Sequence, residues 1–335
     1  MTTPILKQLR VPVVSAPMAG GPSTPELARA VSEAGGLGMI AGALLTPEGF
    51  AAQVDSIRGV TFGVNLFLPE EPSGADVQSY AQHLAPWFER FDIEPGELVR
   101  RDDYYAEKFA WLLAHPVPMV SSTFATFDAD EVARLHAVGT EVWATVATAS
   151  DASVATANGV DALVVQGPEA GGHRGTFDGS APEQPLTELL AAVREISELP
   201  RVAAGGLMDG NDIVPLLDSG AAHAAQFGTA FLNTPEAGTK PIHRQQLTLA
   251  SDTAVTRAFS GRPARGLVND FMRENSAVAP AAFPDLHYLT APLRAKAAAI
   301  GDPSALSMWA GTGHRRVQAM PAAELIAEWA RQLGR

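Results

Sequence analysis

Apolar and polar positions along this chain follow a repeating order. Short apolar runs, bounded by glycine, proline or small polar residues, recur at Val11–Ala16, Leu37–Ala41, Phe62–Phe67, Met119–Phe124, Glu141–Val146, Ala162–Val165, Arg201–Ala204 and His223–Phe227. Runs of this length and composition read as buried strands. Helical spacing fills most of the intervals, as at Thr24–Ala34, Asp130–Ala137, Leu186–Leu199 and Asp212–Asp218. Pro25 near a helix start and Gly35-Gly36 past its end punctuate the first of these. Strands apolar on both faces need cover on both faces. Eight of them alternating with helices predict an α/β fold, a (β/α)8 barrel of the TIM type.

The rhythm breaks twice. Between Leu68 and His115, Pro69, Pro72, Pro86 and Pro95 interrupt helical patches. After Phe231 the sequence reads as helix broken by Pro263, Pro280 and Pro284, with no further strand of the barrel type. These insertions predict a smaller, mostly helical subdomain over the C-terminal mouth of the barrel. The expected organisation is a barrel from 1–69 and 116–235, a covering subdomain from 70–115 and 236–305, and a segment, 306–335, that returns to the barrel.

Composition narrows the function. A chain of 335 residues, 46% hydrophobic and 18% charged, is a globular protein that can bury a large core. A formal charge of −13 argues against nucleic acid as a partner. With no cysteine, disulfides, thiolate metal sites and cysteine nucleophiles are excluded. The eight histidines are scattered, without metal-ligand spacing, so no metal is expected. No Gly-x-Ser-x-Gly elbow marks a nucleophilic serine. No apolar stretch reaches the roughly 18 residues a membrane span needs. The opening MTTPILKQLRVPVV lacks a leader's apolar core and cleavage site, so the expected location is cytoplasmic. Oligomeric state is not legible.

The candidate chemistry concentrates in one run, Val164 to Phe177. Its front half is a buried strand; its back half is a glycine-rich loop presenting Glu169, His173 and Arg174. A strand that ends by handing a histidine to a mobile loop suits a general base, and His173 is the candidate. A second signal lies at the ends of the last two strands, Gly205-Gly206 and Gly228-Thr229. Glycine lets backbone N–H groups approach an anion, and these two strand ends commonly form a phosphate site in such barrels. Gly36–Ala41 looks like a dinucleotide fingerprint, but it follows a helix and opens a strand, which is the wrong context. The phosphate therefore belongs to a mononucleotide or a phosphorylated substrate.

Taken in order, Ala16–Ser23, Ala34–Gly38, Gly63–Phe67, Gln166–Gly175, Ala203–Gly206, Gln226–Phe231 and Trp309–Gly311 resemble the nitronate monooxygenases, formerly 2-nitropropane dioxygenases. That resemblance implies an FMN-containing barrel that oxidises alkyl nitronates, or nitroalkanes, with O2 to a carbonyl compound and nitrite. It implies that Gly205, Gly206, Gly228 and Thr229 hold the FMN phosphate, and that Pro17 and Met18 pack by the isoalloxazine. Asn65, Gln166 and Gln226 would meet its polar atoms, Gly171 and Gly172 would let the loop pass close, and His173 would stand over the ring. Arg174 and His314 are candidates for positive potential; Tyr104, Tyr105 and Trp309 are candidates for the cavity wall. The chain departs from the family pattern at Thr123, where many members place histidine, and at Thr312, where many carry glutamine. Two other readings share these signals: an FMN-dependent NAD(P)H reductase of the enoyl or quinone type, and a non-catalytic FMN-binding barrel.

Overall fold

The computed structural model describes residues 3–70, 74–99, 102–250 and 252–334. Every predicted barrel strand forms: Val13–Ser15 (β1), Gly38–Ala41 (β2), Phe62–Phe67 (β3), Met119–Thr123 (β4), Glu141–Val146 (β5) and Ala162–Gln166 (β6), then, after a two-residue strand Gly172–His173 (β7) outside the barrel, Arg201–Ala204 (β8) and Ala224–Phe227 (β9). They pair in parallel in the order β1-β9-β8-β6-β5-β4-β3-β2. A parallel bridge between Val14 and Leu37 brings the two ends together, giving a TIM barrel.

Both faces of each strand are buried, which is why the runs read as continuous rather than alternating. Met39, Met119, Trp143, Val164, Val202 and Ala224 share one apolar cluster. Their strand neighbours Ile40, Val120, Val142, Leu163, Val165 and Ala203 join a second, shared with Phe50, Val54, Leu135, Leu189 and Val193 of the outer helices. Threonine or aspartate caps start many of those helices: Thr24, Thr46, Asp128, Thr148 and Asp209 each accept from a backbone N–H one turn on. The Gly35-Gly36 pair does end the first of them, donating back to Ser32 and Val31 with Gly35 at φ +106°.

The insertions share a core of their own. Tyr80, Leu84, Trp87, Phe88 and Phe91 pack with Phe259, Phe271, Leu286, Leu289 and Leu293. The helix Tyr105–Ala114 lies elsewhere: Phe109 and Leu112 join the barrel's outer core beside Phe50. The C-terminal helix Ala322–Gln332 packs on the barrel's flank, its Trp329 stacked on Phe227 at 4.5 Å. Among the described residues no helix is long and apolar enough to cross a membrane.

The second insertion, read as mostly helical, also contains strands. Thr253–Thr256 (β10) and Ala264–Leu267 (β11) form an antiparallel hairpin, and β11 also pairs with β7, His173 opposite Ala264. The histidine loop is thus a strand of a three-stranded sheet rather than a free loop. Two four-residue strands are too short for a period to show, and their partner β7 lies far away in sequence.

Gly38 carries the tightest helix–strand contact. A Cβ there would stand 1.8 Å from the Ala28 carbonyl oxygen. Gly38→Ala should therefore cost about 3 kcal/mol through backbone displacement. Gly49→Ala, in a helix with only an ordinary 3.4 Å contact, should gain about 0.5–1 kcal/mol. Chemical denaturation of both variants checks the contrast; equal stabilities would refute the close approach.

Candidate functional site

A cavity of about 270 Å³ opens where the barrel strands end. Pro17, Met18, Asn65, Gln166, Gly171, Gly172, His173, Gly205, Gly206, Gln226, Gly228 and Thr229 all line it, as does Trp309. The barrel converges all of these but Trp309, because each follows or ends a parallel strand.

His173 is held from several sides. Its Nε2 lies 2.9 Å from Ser260 Oγ, and its ring centroid lies 5.5–6.4 Å from those of Phe67, Phe124, Phe283 and Trp309. Its carbonyl accepts from Gln166 Nε2 at 3.0 Å, while Gln166 Oε1 accepts from the Gly175 N–H at 2.8 Å. Gln166 therefore clamps the histidine strand and retains only part of its hydrogen-bonding capacity for a ligand. Asn65 is similarly engaged: its Nδ2 donates to Ser121 Oγ at 2.9 Å and Thr123 Oγ1 at 3.0 Å. Thr123 itself lines the cavity.

Desolvation, reinforced by the Arg262 and Arg294 guanidiniums, pushes the His173 pKa down to about 3. The imidazole is neutral across the physiological range, so it can accept a proton but does not serve as a resident cation. His243 and His287, also on the wall, are pushed down to about 4 and about 2, chiefly by burial. The positive charge lining the cavity comes from Lys240 and Arg294.

Backbone makes up much of the wall opposite. Gly205 and Gly206 have φ of +118° and +73°, and a Cβ at Gly171 would stand 2.6 Å from Ala310 C and Gly311 N. Gly311 N–H donates to Thr229 Oγ1 at 2.9 Å, closing the return segment over the last strand end. A Cβ at Gly205 or Gly206 would press on Ala170 or Glu169, so this stretch of the wall packs backbone against backbone and stays bare. The buried Nε2 of His243 has no protein partner. A wall of bare backbone, with an unpartnered buried imidazole nitrogen on His243, fits a planar group bearing a phosphate.

Some candidates lie elsewhere. Arg174 is buried outside the cavity wall, Nη1 donating to the Gly167 carbonyl at 2.5 Å, with Glu169 close enough to favour its charge. His314 is buried too, its Nδ1 2.7 Å from the Leu247 carbonyl. Tyr105 donates to Glu131 at 2.7 Å and packs on Phe109 and Phe127; Lys108 lies 5.9 Å from the Tyr104 ring. Arg174 and His314 turn into the buried interior, and Tyr105 belongs to a helix that packs on the barrel's outer core. Among the described residues no group of three or more His, Asp or Glu is placed to hold a metal.

Sequence reading missed Lys240, His243, Phe259, Ser260, His287 and Arg294, all on the wall. They come from the second insertion and carry no motif; their only signal was that an insertion after the last strand lies at the mouth.

Behind His173, Arg262 is 1% exposed. Its Nε donates to the Arg174 carbonyl at 3.1 Å, its other nitrogens to Glu70 and the Thr176 carbonyl, and its guanidinium lies 3.9 Å from the Phe124 ring centroid. Burial acts against both charges, lowering the Arg262 pKa and raising that of Glu70.

A family model described as nitronate monooxygenase matches residues 3–331. A nitronate monooxygenase of Pseudomonas aeruginosa is 38% identical over 95% of each chain, and one of Paraburkholderia phytofirmans is 36% identical over 96% of this chain and 92% of its own. Among solved structures, nitroalkane oxidase from Streptomyces ansochromogenes superposes with a TM-score of 0.95 at 45% identity, covering 99% of this chain and 98% of that one. FabK from Thermotoga maritima gives 0.77 at 25% identity, covering 98% and 94%.

Arg262→Met should destabilise the fold by about 3–5 kcal/mol, because Glu70 and two carbonyls lose a buried donor. Hydrogen exchange should show faster exchange of the Arg174 amide, which pairs with the Pro263 carbonyl at 2.8 Å. Wild-type stability and protection in this variant would show that the guanidinium ties nothing together.

Proposed function

We propose that this chain, which belongs to the nitronate monooxygenase family, oxidises small nitroalkanes or their nitronates around His173, with FMN as cofactor and O2 as oxidant, releasing a carbonyl compound and nitrite. Family membership makes it an oxidoreductase. The observation that carries the finer reading is a neutral imidazole over a glycine-walled cavity whose only charged wall residues, among those described, are cations.

In this reading Gly205, Gly206, Gly228 and Thr229 bind the phosphate through backbone N–H groups and the threonine hydroxyl. Pro17 and Met18 flank the ring system, Gln226 and the remaining capacity of Asn65 and Gln166 meet its polar edge, and Gly171 and Gly172 leave room for it. FMN, when bound, supplies the acceptor for the substrate's electrons. His173 removes the α-proton of a nitroalkane: the C–H pair becomes part of the C=N bond, and the charge moves to the nitro oxygens. For a nitronate, already ionised, His173 orients rather than deprotonates. The aromatic residues around it exclude water from the reacting carbon.

The direct test uses purified protein loaded with FMN. Oxygen uptake and nitrite should appear with nitroethane or its nitronate and without NADH. His173→Asn should keep the flavin and lose about 10²–10⁴ of kcat/KM on nitroethane, and much less on the nitronate. Flavin reduction by NADH, with no response to nitro compounds, would favour a reductase; retained activity in the asparagine variant would remove His173 from the chemistry.

The depressed pKa adds a pH signature. A base works only when deprotonated, and His173 stays deprotonated until the pH falls toward about 3. The kcat/KM for nitroethane should thus show no acid limb between about pH 8 and 5, whereas an ordinary histidine would titrate in that window. A limb near the ordinary imidazole value would contradict the electrostatics described here.

A further inference from the structure

Arg294 lies on the helix Ala291–Ile300 and lines the cavity with His173, His287 and Lys240. The guanidinium is braced from its own segment. Nη2 donates to the His287 carbonyl at 2.6 Å and lies 3.3 Å from His287 Nδ1, while Nε donates to Thr290 Oγ1 at 3.2 Å. Burial lowers its pKa to about 10, which leaves it charged at neutral pH. It is close enough to His173 and His287 to disfavour a proton on either.

Two arginines thus act on His173, and they differ. Arg262 forms a salt bridge with Glu70 and is not part of the cavity wall. Arg294 forms no salt bridge among the described residues and reaches the cavity, so its charge meets whatever stands before His173. Lys240, the other cation on the wall, has its pKa lowered by burial and by Arg294 itself.

We propose that Arg294 is a catalytic residue: its guanidinium receives the two oxygens of the substrate's nitro group and stabilises the negative charge that forms there as His173 takes the α-proton. The inference rests on the functional reading above. Nε and Nη2 already donate to Thr290 and His287, so Nη1 is the nitrogen left to meet the nitro oxygens, and a preorganised cation is most effective where water is excluded. The same charge opposes protonation of His173, but the nitro oxygens bind against the guanidinium itself, so stabilisation of the nitronate prevails. The proton goes to the imidazole, the C–H electron pair into the C=N bond and the charge to the oxygens, before any electron leaves the substrate.

The test uses FMN-loaded protein and two variants, Arg294→Met and Arg294→Lys, with nitrate as a probe of planar oxyanion binding read from flavin absorbance. Arg294→Met should lower kcat/KM on nitroethane by about 10²–10³, comparable to loss of one preorganised donor, and weaken nitrate binding at least about tenfold. His173 is faced by Ser260, Arg262, His287 and four aromatic rings besides Arg294; with one cation gone, the acid limb of the pH profile should move upward. Arg294→Lys should keep most of the nitrate affinity. If only a substrate with a remote carboxylate, such as 3-nitropropionate, suffers while nitroethane turnover is unchanged, the nitro group is not the partner and the proposal falls. Should the methionine variant not load flavin, the lysine variant decides: retained nitrate binding supports the role of charge, and its loss overturns it. Failure of the wild type to oxidise nitroethane would sink the functional reading, whereas nitrate binding would still report on Arg294 alone.

Discussion

The site depends on one buried cation outside it. Arg262 joins Glu70, just after β3, to the carbonyls of Arg174 and Thr176 after β7, and covers the face of Phe124 at the end of β4. Three stretches distant in sequence are fixed against a residue of the second insertion. Without that tie, β7 would keep its short pairing to β11 and the Gln166 clamp from β6, but would lose its charged anchor to the stretch after β3. Burial disfavours both charges of the Arg262–Glu70 pair, so the pair is better understood as a positioning device than as a source of stability.

Position has an electrostatic consequence. The contacts that locate His173 also remove water from it and set guanidiniums nearby, so the ring is both fixed and neutral. A mobile loop with a solvated histidine would have neither property. The insertions therefore contribute more than a cover: β11, Ser260, His287 and Arg294 all come from the chain after the last barrel strand.

This division of labour explains what the sequence disclosed. Barrel strands are local, apolar on both faces and punctuated, so Ala162–Val165 or Glu141–Val146 could be read directly, and the loops following them inherit their place at the mouth. The glycines at 171, 205, 206 and 228 were legible because a glycine after a strand has few other uses. What stayed hidden depends on contacts across long separations. The β10–β11 hairpin has too few residues to display a period. Arg294 carries no motif on its alanine-rich helix, and Arg174, prominent beside the histidine, turns inward to bond the Gly167 carbonyl. Asn65 and Gln166 do line the cavity, yet their amides are engaged by neighbouring strands.

In the proposed mechanism His173 is the base, and a base this weak sets a condition on the rest of the cavity. With a pKa near 3, the imidazole of His173 gains little by taking a proton from a carbon acid, so the driving force has to come from the other product of that transfer. A cavity that depresses its own base is therefore coherent only if it stabilises the conjugate anion more than it penalises the cation. In that mechanism Lys240 and Arg294 would supply the bias, because both line the cavity. A preformed nitronate asks less of such a site: it benefits from the cations and needs no base at all. The same arrangement of charge thus suits both members of the nitroalkane–nitronate pair, and the contribution of His173 distinguishes between them.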